Sequence, residues 1–206
     1  VIANIGTVCE RKGQHVFLRT VEYFMRNFAA NGSYKFLIVG GRPGEYQSSL
    51  EADIERLGLG DVITIVNETD RVYEYFRAAN LFACSSFEES FPRVLLEALA
   101  FETPIVSTNV HGVPEMVTNK AEAYLVPPGE PIAFAKTIKT CLDKLLHGTS
   151  TVPMGYSKVV RAYGMDAVLP KHADIAREAV LDYEAETDRS KPNRLSGRGD
   201  RVESSW

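Results

Sequence analysis

A chain of 206 residues, 45% hydrophobic and 24% charged, can bury one sizeable core and lacks the low hydrophobicity of a disordered protein. A net charge of −4 argues against an electrostatic nucleic-acid binder, which would carry a basic stripe, and no run approaches the roughly 18 apolar residues that cross a bilayer as a helix. Cys9, Cys84 and Cys141 are odd in number and lack metal-ligand spacing, so reduced core thiols are expected and a disulfide framework is not.

The chain opens on an apolar run, residues 1–5, without Met or signal-peptide pattern; it reads as a strand and as a start inside a longer protein. A glycine-containing turn leads to a helix over 14–28, with Val16, Phe17, Thr20, Phe24 and Phe28 on its apolar face. A second strand, 34–39, is closed by Gly40-Gly41-Arg42-Pro43-Gly44, and a helix then runs to about 57, where Gly58-Leu59-Gly60 stops it. Residues 62–66 read as strand three, 72–79 as a short helix and 81–84 as strand four. The segment Phe87-Glu88-Glu89-Ser90-Phe91-Pro92 then enters an apolar helix. Pro92 fits its first turn, where a missing N–H costs little, and Glu102-Thr103-Pro104 ends it. Strands at 105–107 and 124–126, an amphipathic helix at 131–146 and two further helices at 152–163 and 166–185 follow. From 188 to 206 the composition turns to Ser, Arg, Gly, Asp and Pro without periodicity, which reads as a disordered tail; Arg198-Gly199-Asp200 within it is taken as chance.

Strict alternation of strand and helix with short connections implies an α/β fold: a doubly wound, Rossmann-like parallel sheet of about six strands with helices on both faces. Phe36-Leu37-Ile38-Val39 and Leu81-Phe82-Ala83-Cys84 are apolar without alternation, as strands covered on both sides should be. One domain is expected over 1–187. Ligands of such sheets bind beyond the carboxyl ends of the strands, and the two most unusual loops lie there, after strand one and after strand four.

In the first, Gly6 ends the strand, Gly13 lets the backbone turn into a helix, and Arg11 and Lys12 bring two cations to the helix entry. Cations, backbone N–H groups and the helix dipole together suit a diphosphate, although a solvated basic turn accounts for the same residues. In the second, Glu89 lies before the helix and Glu97 within it, among Val94, Leu95, Leu96, Ala98 and Leu99. A carboxylate beside a core costs several kcal/mol unless something donates hydrogen bonds to it, and a ribose diol would. The bland reading sets Glu89 against the helix dipole and Glu97 at a rim; the segment alone leaves both open. Between them the N–H groups of Phe91 and Arg93 are read as helix-end donors that face the crevice. The loop Asn67-Glu68-Thr69-Asp70-Arg71 can border a nucleobase or simply be a solvated turn. Of the scattered histidines only His111, in the loop 109–114, lies near the expected crevice. There is no Gly-x-Gly-x-x-Gly fingerprint, P-loop, Asp-x-Asp pair or metal-ligand spacing, which tells against an NAD-dependent enzyme and a nucleoside-triphosphate hydrolase.

Taken in order, Ile5-Gly6-Thr7 with Lys12-Gly13, Leu37-Ile38-Val39-Gly40, Asn80-Leu81-Phe82, the run Glu89-Ser90-Phe91-Pro92-Arg93-Val94-Leu95-Leu96-Glu97-Ala98, Thr103-Pro104-Ile105-Val106, Gly112-Val113-Pro114-Glu115 and Leu125-Val126-Pro127-Pro128-Gly129 resemble the C-terminal, donor-binding domain of glycosyltransferase family 4, of GT-B architecture. The two glutamates with seven residues between them are the most specific part. The resemblance implies a retaining glycosyltransferase that uses a nucleoside-diphosphate sugar, without metal or other cofactor. It would set Lys12 and Arg11 against the diphosphate, Glu89 on hydroxyls of the transferred sugar and Glu97 on the ribose diol. Ser90, Phe91, Pro92 and Arg93 would meet the distal phosphate or sugar, Gly6 would line the donor site, and the Thr69 backbone would border the base. It also implies an acceptor site on an absent N-terminal domain, toward which the last helices, about 152–185, would pack. Membrane contact would not run through this domain, and a location in the cytoplasm or on the cytosolic face of a membrane is expected. Thr7 stands where many members carry Arg, Pro92 where many carry Gly, and His111 and Ala123 replace other glycines. A degenerate nucleotide-binding or scaffold module without catalytic activity is the alternative.

Overall fold

The computed structural model describes residues 1–29, 33–117, 122–148 and 155–189. Six strands, β1 (Ile2–Ile5), β2 (Phe36–Gly41), β3 (Ile63–Asn67), β4 (Leu81–Cys84), β5 (Ile105–Thr108) and β6 (Tyr124–Val126), form one parallel sheet in the order β3-β2-β1-β4-β5-β6. Helices α1 (Gln14–Phe28), α2 (Glu45–Arg56), α3 (Val72–Ala78), α4 (Arg93–Ala100), α5 (Val113–Met116) and α6 (Pro131–Leu146) connect or follow the strands. The sheet is the doubly wound, Rossmann-like one expected from the sequence.

Two apolar clusters lie on its two faces. Phe17 and Phe24 of α1, Leu50 of α2 and Phe134 and Ile138 of α6 pack in one; Phe76 of α3, Leu95 and Leu99 of α4 and Val113 of α5 pack in the other. The strands feed both. In β4, Leu81 and Ala83 join the first cluster while Phe82 and Cys84 join the second. Double coverage is why these strands carry no polar alternation, and each fully buried large side chain contributes about 1.5–3 kcal/mol. All three cysteines are free thiols; burial pushes the Cys141 thiol up to about 11.

Several local features depart from the sequence reading. Residues Glu10–Lys12 form one turn of 3-10 helix, and α5 occupies part of what reads as a loop. Pro92 is extended, with φ −73° and ψ 100°, and precedes α4 instead of lying in its first turn. That helix ends at Ala100, and Glu102 turns the chain with φ 54°.

The chain divides into two compact units, Val1–Arg161 and Ala162–Trp206. In the first, Lys158 of α7 (Gly155–Tyr163) donates to the Met116 carbonyl and to Glu122, both at 2.7 Å. The described part of the second holds the last two residues of α7 and then α8 (Met165–Arg189), which contains Pro170 and exposes Met165, Leu169, Ile175 and Leu181. Of the expected tail, residues 188 and 189 continue α8, and 190–206 lie outside the described residues. No helix among the described residues is long and apolar enough to cross a membrane.

Candidate functional site

The strand order reverses direction between β1 and β4, so the loops after these two strands meet at the carboxyl edge of the sheet. Those are the loops with Arg11 and Lys12 and with Glu89. Gly13 makes the approach possible. It closes the 3-10 turn with φ 65°, and a Cβ there would lie 2.2 Å from the Ser85 carbonyl oxygen. Across this contact the Phe87 N–H donates to the Arg11 carbonyl at 2.8 Å and the Ser85 hydroxyl to the Lys12 carbonyl at 3.1 Å. Arg11 Nη1 donates back to the Glu88 carbonyl at 3.0 Å. Asn4, a buried polar residue in β1, donates to the Ala83 carbonyl and to Ser85 Oγ. Buried Gln14 donates to the Thr7 carbonyl and accepts from the Cys9 N–H, which sets the start of the basic turn.

Glu89 is 4% exposed. Burial of its charge is offset locally: Lys12 Nζ lies 2.5 Å and the Ser86 hydroxyl 2.6 Å from Oε1, while Arg11 Nη1 is 3.9 Å from Oε2. The two clusters read separately in the sequence are therefore one constellation. The loop after β5 joins it. The Gly112 N–H donates to the Glu89 carbonyl at 3.0 Å, and a Cβ on Gly112 would fall 1.9 Å from the Ser90 carbonyl oxygen. His111 precedes that glycine, exposed, with φ 38°. Gly6, φ 149°, donates to the Val39 carbonyl, and a Cβ on it would lie in ordinary contact with Lys12 Cε, at 3.8 Å.

Glu97, the fifth residue of α4, is half-buried; its carbonyl accepts the Phe101 N–H, but its carboxylate has no hydrogen-bond or ion-pair partner among the described residues. Burial raises its pKa, and Arg93 one turn earlier pulls the other way more weakly. No side chain caps α4. Ser90, Phe91 and Arg93 are exposed around its start and Pro92 is buried. Thr69 is half-buried after β3 and accepts the Arg71 N–H. Beside it Arg42 forks onto Glu68, at 2.9 and 2.8 Å, and ties the loops after β2 and β3 together. Among the described residues no hydrogen bond or ion pair joins Glu97 or Thr69 to the Lys12–Glu89 pair. A hollow of about 650 Å³ adjoins the basic turn, lined by Glu10, Arg11, His15, Tyr46, Ser49 and Phe87; neither Glu89 nor Glu97 borders it.

Sequence reasoning missed Asn4, Gln14, Ser86 and buried Thr108, whose hydroxyl donates to the Ser86 carbonyl. Their only signal is a polar residue inside or just beyond an apolar strand, or at a helix entry, where a covered position should be apolar.

The raised pKa of Glu97 has a consequence for stability. The folded state disfavours its charge, while the unfolded chain releases the proton near the ordinary value of 4.5. The cost is therefore absent in acid, below that value, and present at neutral pH. Glu97→Gln is expected to be at least as stable as the parent at pH 7, an advantage that vanishes below about pH 4 in thermal melts across pH. A variant less stable than the parent at neutral pH and equal to it in acid would reverse the sign.

The family model described as glycosyl transferases group 1 matches residues 1–146. Among curated proteins, the D-inositol 3-phosphate glycosyltransferase of Streptomyces griseus is 27% identical over 86% of this chain and 39% of its own length. Among solved structures, Anabaena HepE in complex with UDP-glucose superposes with a TM-score of 0.76 at 22% identity, covering 86% of this chain and 48% of that one. The C-terminal domain of LpcC, a group 1 family protein from Francisella tularensis, gives 0.68 at 19% identity, over 79% of this chain and 85% of that one. The chain thus spans less than half the length of the curated relative, and the two structures share its fold.

Proposed function

The chain belongs to the group 1 glycosyl transferases, and from that membership we propose that it is the donor-binding half of a retaining enzyme, which holds a nucleoside-diphosphate sugar across the β1/β4 edge of the sheet. The observation that carries this reading is Glu97: a desolvated carboxylate with its acceptor capacity unused, on the helix that the Glu89 loop opens. Two adjacent ribose hydroxyls would satisfy it. Lys12 and Arg11 would meet the diphosphate together with the uncapped start of α4 around Ser90, Phe91, Pro92 and Arg93. Glu89 would accept hydroxyls of the sugar, Gly6 would border the phosphates and the Thr69 backbone would border the base. That UDP-glucose accompanies one structural neighbour supports a uridine nucleotide as the first ligand to try.

The chemistry asked of these residues is electrostatic. As the sugar leaves, charge builds on the nucleoside diphosphate, and fixed cations and helix-end amides that face it lower the barrier. Departure of the nucleoside diphosphate requires no metal in this reading. The acceptor would be engaged by the part of the longer relatives that this chain does not match, so the chain alone is expected to bind donor and transfer little sugar.

Titration calorimetry with UDP and GDP tests the assignment. Glu97→Ala is expected to weaken the preferred nucleotide at least tenfold, roughly 1.5–3 kcal/mol for hydrogen bonds to a charged group. Unchanged affinity would remove the ribose role of Glu97. No binding of either nucleotide by the parent chain would favour the scaffold alternative.

A further inference from the structure

We infer that Ser86 is a positioning residue for Glu89, its hydroxyl holding one carboxylate oxygen so that the other is presented to the sugar. Ser86 is 1% exposed, and its Oγ donates to Glu89 Oε1 at 2.6 Å. Lys12 donates to the same oxygen, so two donors occupy its two lone pairs. Among the described residues Oε2 has only Arg11, at 3.9 Å, beyond hydrogen-bond distance. The carboxylate is therefore saturated on one side and open on the other.

Ser86 is itself held from β5. Buried Thr108 Oγ1 donates to the Ser86 carbonyl at 2.6 Å, and the next loop fixes the Glu89 main chain through the Gly112 N–H. The hydroxyl matters most when a donor arrives. A diphosphate competes for the Lys12 ammonium, and once that cation turns toward phosphate, Ser86 is the direct hydrogen-bond donor that keeps Oε1 in place. The Cys84 thiol stands at 4.0 Å and is a weak donor, a poor substitute. Without the hydroxyl, Glu89 is free to follow Lys12 and Oε2 loses its aim at the sugar.

This inference rests on the donor-site reading above, and the two fail differently. The 206-residue chain, Ser86→Ala and Ser86→Thr are titrated with UDP and UDP-glucose, and in parallel with GDP and GDP-mannose. The expected result for Ser86→Ala is nucleotide affinity within about twofold of the parent, with nucleotide-sugar affinity weakened about fivefold to tenfold relative to nucleotide. Threonine, which keeps the hydroxyl, restores the parental ratio. An unchanged ratio in Ser86→Ala, or equal loss of nucleotide and nucleotide sugar, overturns the positioning role. Failure of the parent chain to bind any of the four ligands overturns the donor-site reading and this inference with it.

Discussion

Gly13→Ala is expected to lower stability by about 3–5 kcal/mol, a drop of about 10 °C in thermal midpoint for a chain of this size, and to abolish nucleotide binding. Two effects add. The left-handed φ of 65° costs an L-residue roughly 1–2 kcal/mol. The new Cβ would also meet the Ser85 carbonyl oxygen at 2.2 Å, and that carbonyl belongs to a residue pinned by Asn4 and by the Lys12 main chain. Relief requires the loops after β1 and β4 to part, which breaks the Phe87 to Arg11 and Ser85 to Lys12 hydrogen bonds and separates the cations from Glu89. Gly58 supplies the control. It has the same φ of 65°, but a Cβ added there would meet nothing within 4 Å, so Gly58→Ala should show the conformational cost alone, about 1–2 kcal/mol, and keep nucleotide binding. Equal effects at the two glycines, read by denaturation and UDP titration, would mean that the loop contact is not what holds the site.

The second large effect concerns the buried ion pair. Lys12 and Glu89 side chains are 16% and 5% exposed. Lys12→Met leaves a carboxylate in a nearly closed space with one hydroxyl donor and a distant guanidinium, and a loss of about 3 kcal/mol is expected. Changing both partners, Lys12→Met with Glu89→Leu, removes the stranded charge, so much of that loss should return while donor binding stays absent. A double-mutant cycle measured by urea unfolding reads the coupling directly. Additive losses would show that the pair contributes little and that solvent already screens it. The expected pattern separates the folding role of the pair from its use in binding. A lysine kept only for stability could be replaced together with its partner without loss of function.

Much of the architecture is legible in the sequence because its physics is local. The helix Gln14–Phe28, the strand Leu81–Cys84 and the helix Pro131–Leu146 match the sequence reading to the residue, since each is an apolar pattern bounded by glycine, proline or polar breaks. The 3-10 turn Glu10–Lys12 has no buried residue, and α5 is four residues long; neither leaves a period to read. Glycines make β2 look as if it ends two residues early: it reads as 34–39 and runs Phe36–Gly41. Gly40 in fact continues it, with φ 115° and the Gly6 carbonyl so close that a Cβ would stand 2.4 Å away.

The site is legible as separate pieces. Lys12, Glu89 and Glu97 stand out by residue type and spacing. The pairing of Lys12 with Glu89, 77 positions apart, is set by the β1–β4 contact, which no spacing rule contains. Ser86 and Gln14 escape notice for a related reason. A single buried serine or glutamine has no sequence pattern, and its partner is known only once the chain is folded.

The most direct test of the proposed site is a crystal structure of the chain with UDP. The ribose hydroxyls should lie within hydrogen-bond distance of the Glu97 carboxylate, with the diphosphate at Lys12 and the start of α4, and Lys12 drawn away from Glu89. UDP seated elsewhere, or Glu97 facing bulk water with the Lys12–Glu89 pair undisturbed, would contradict it.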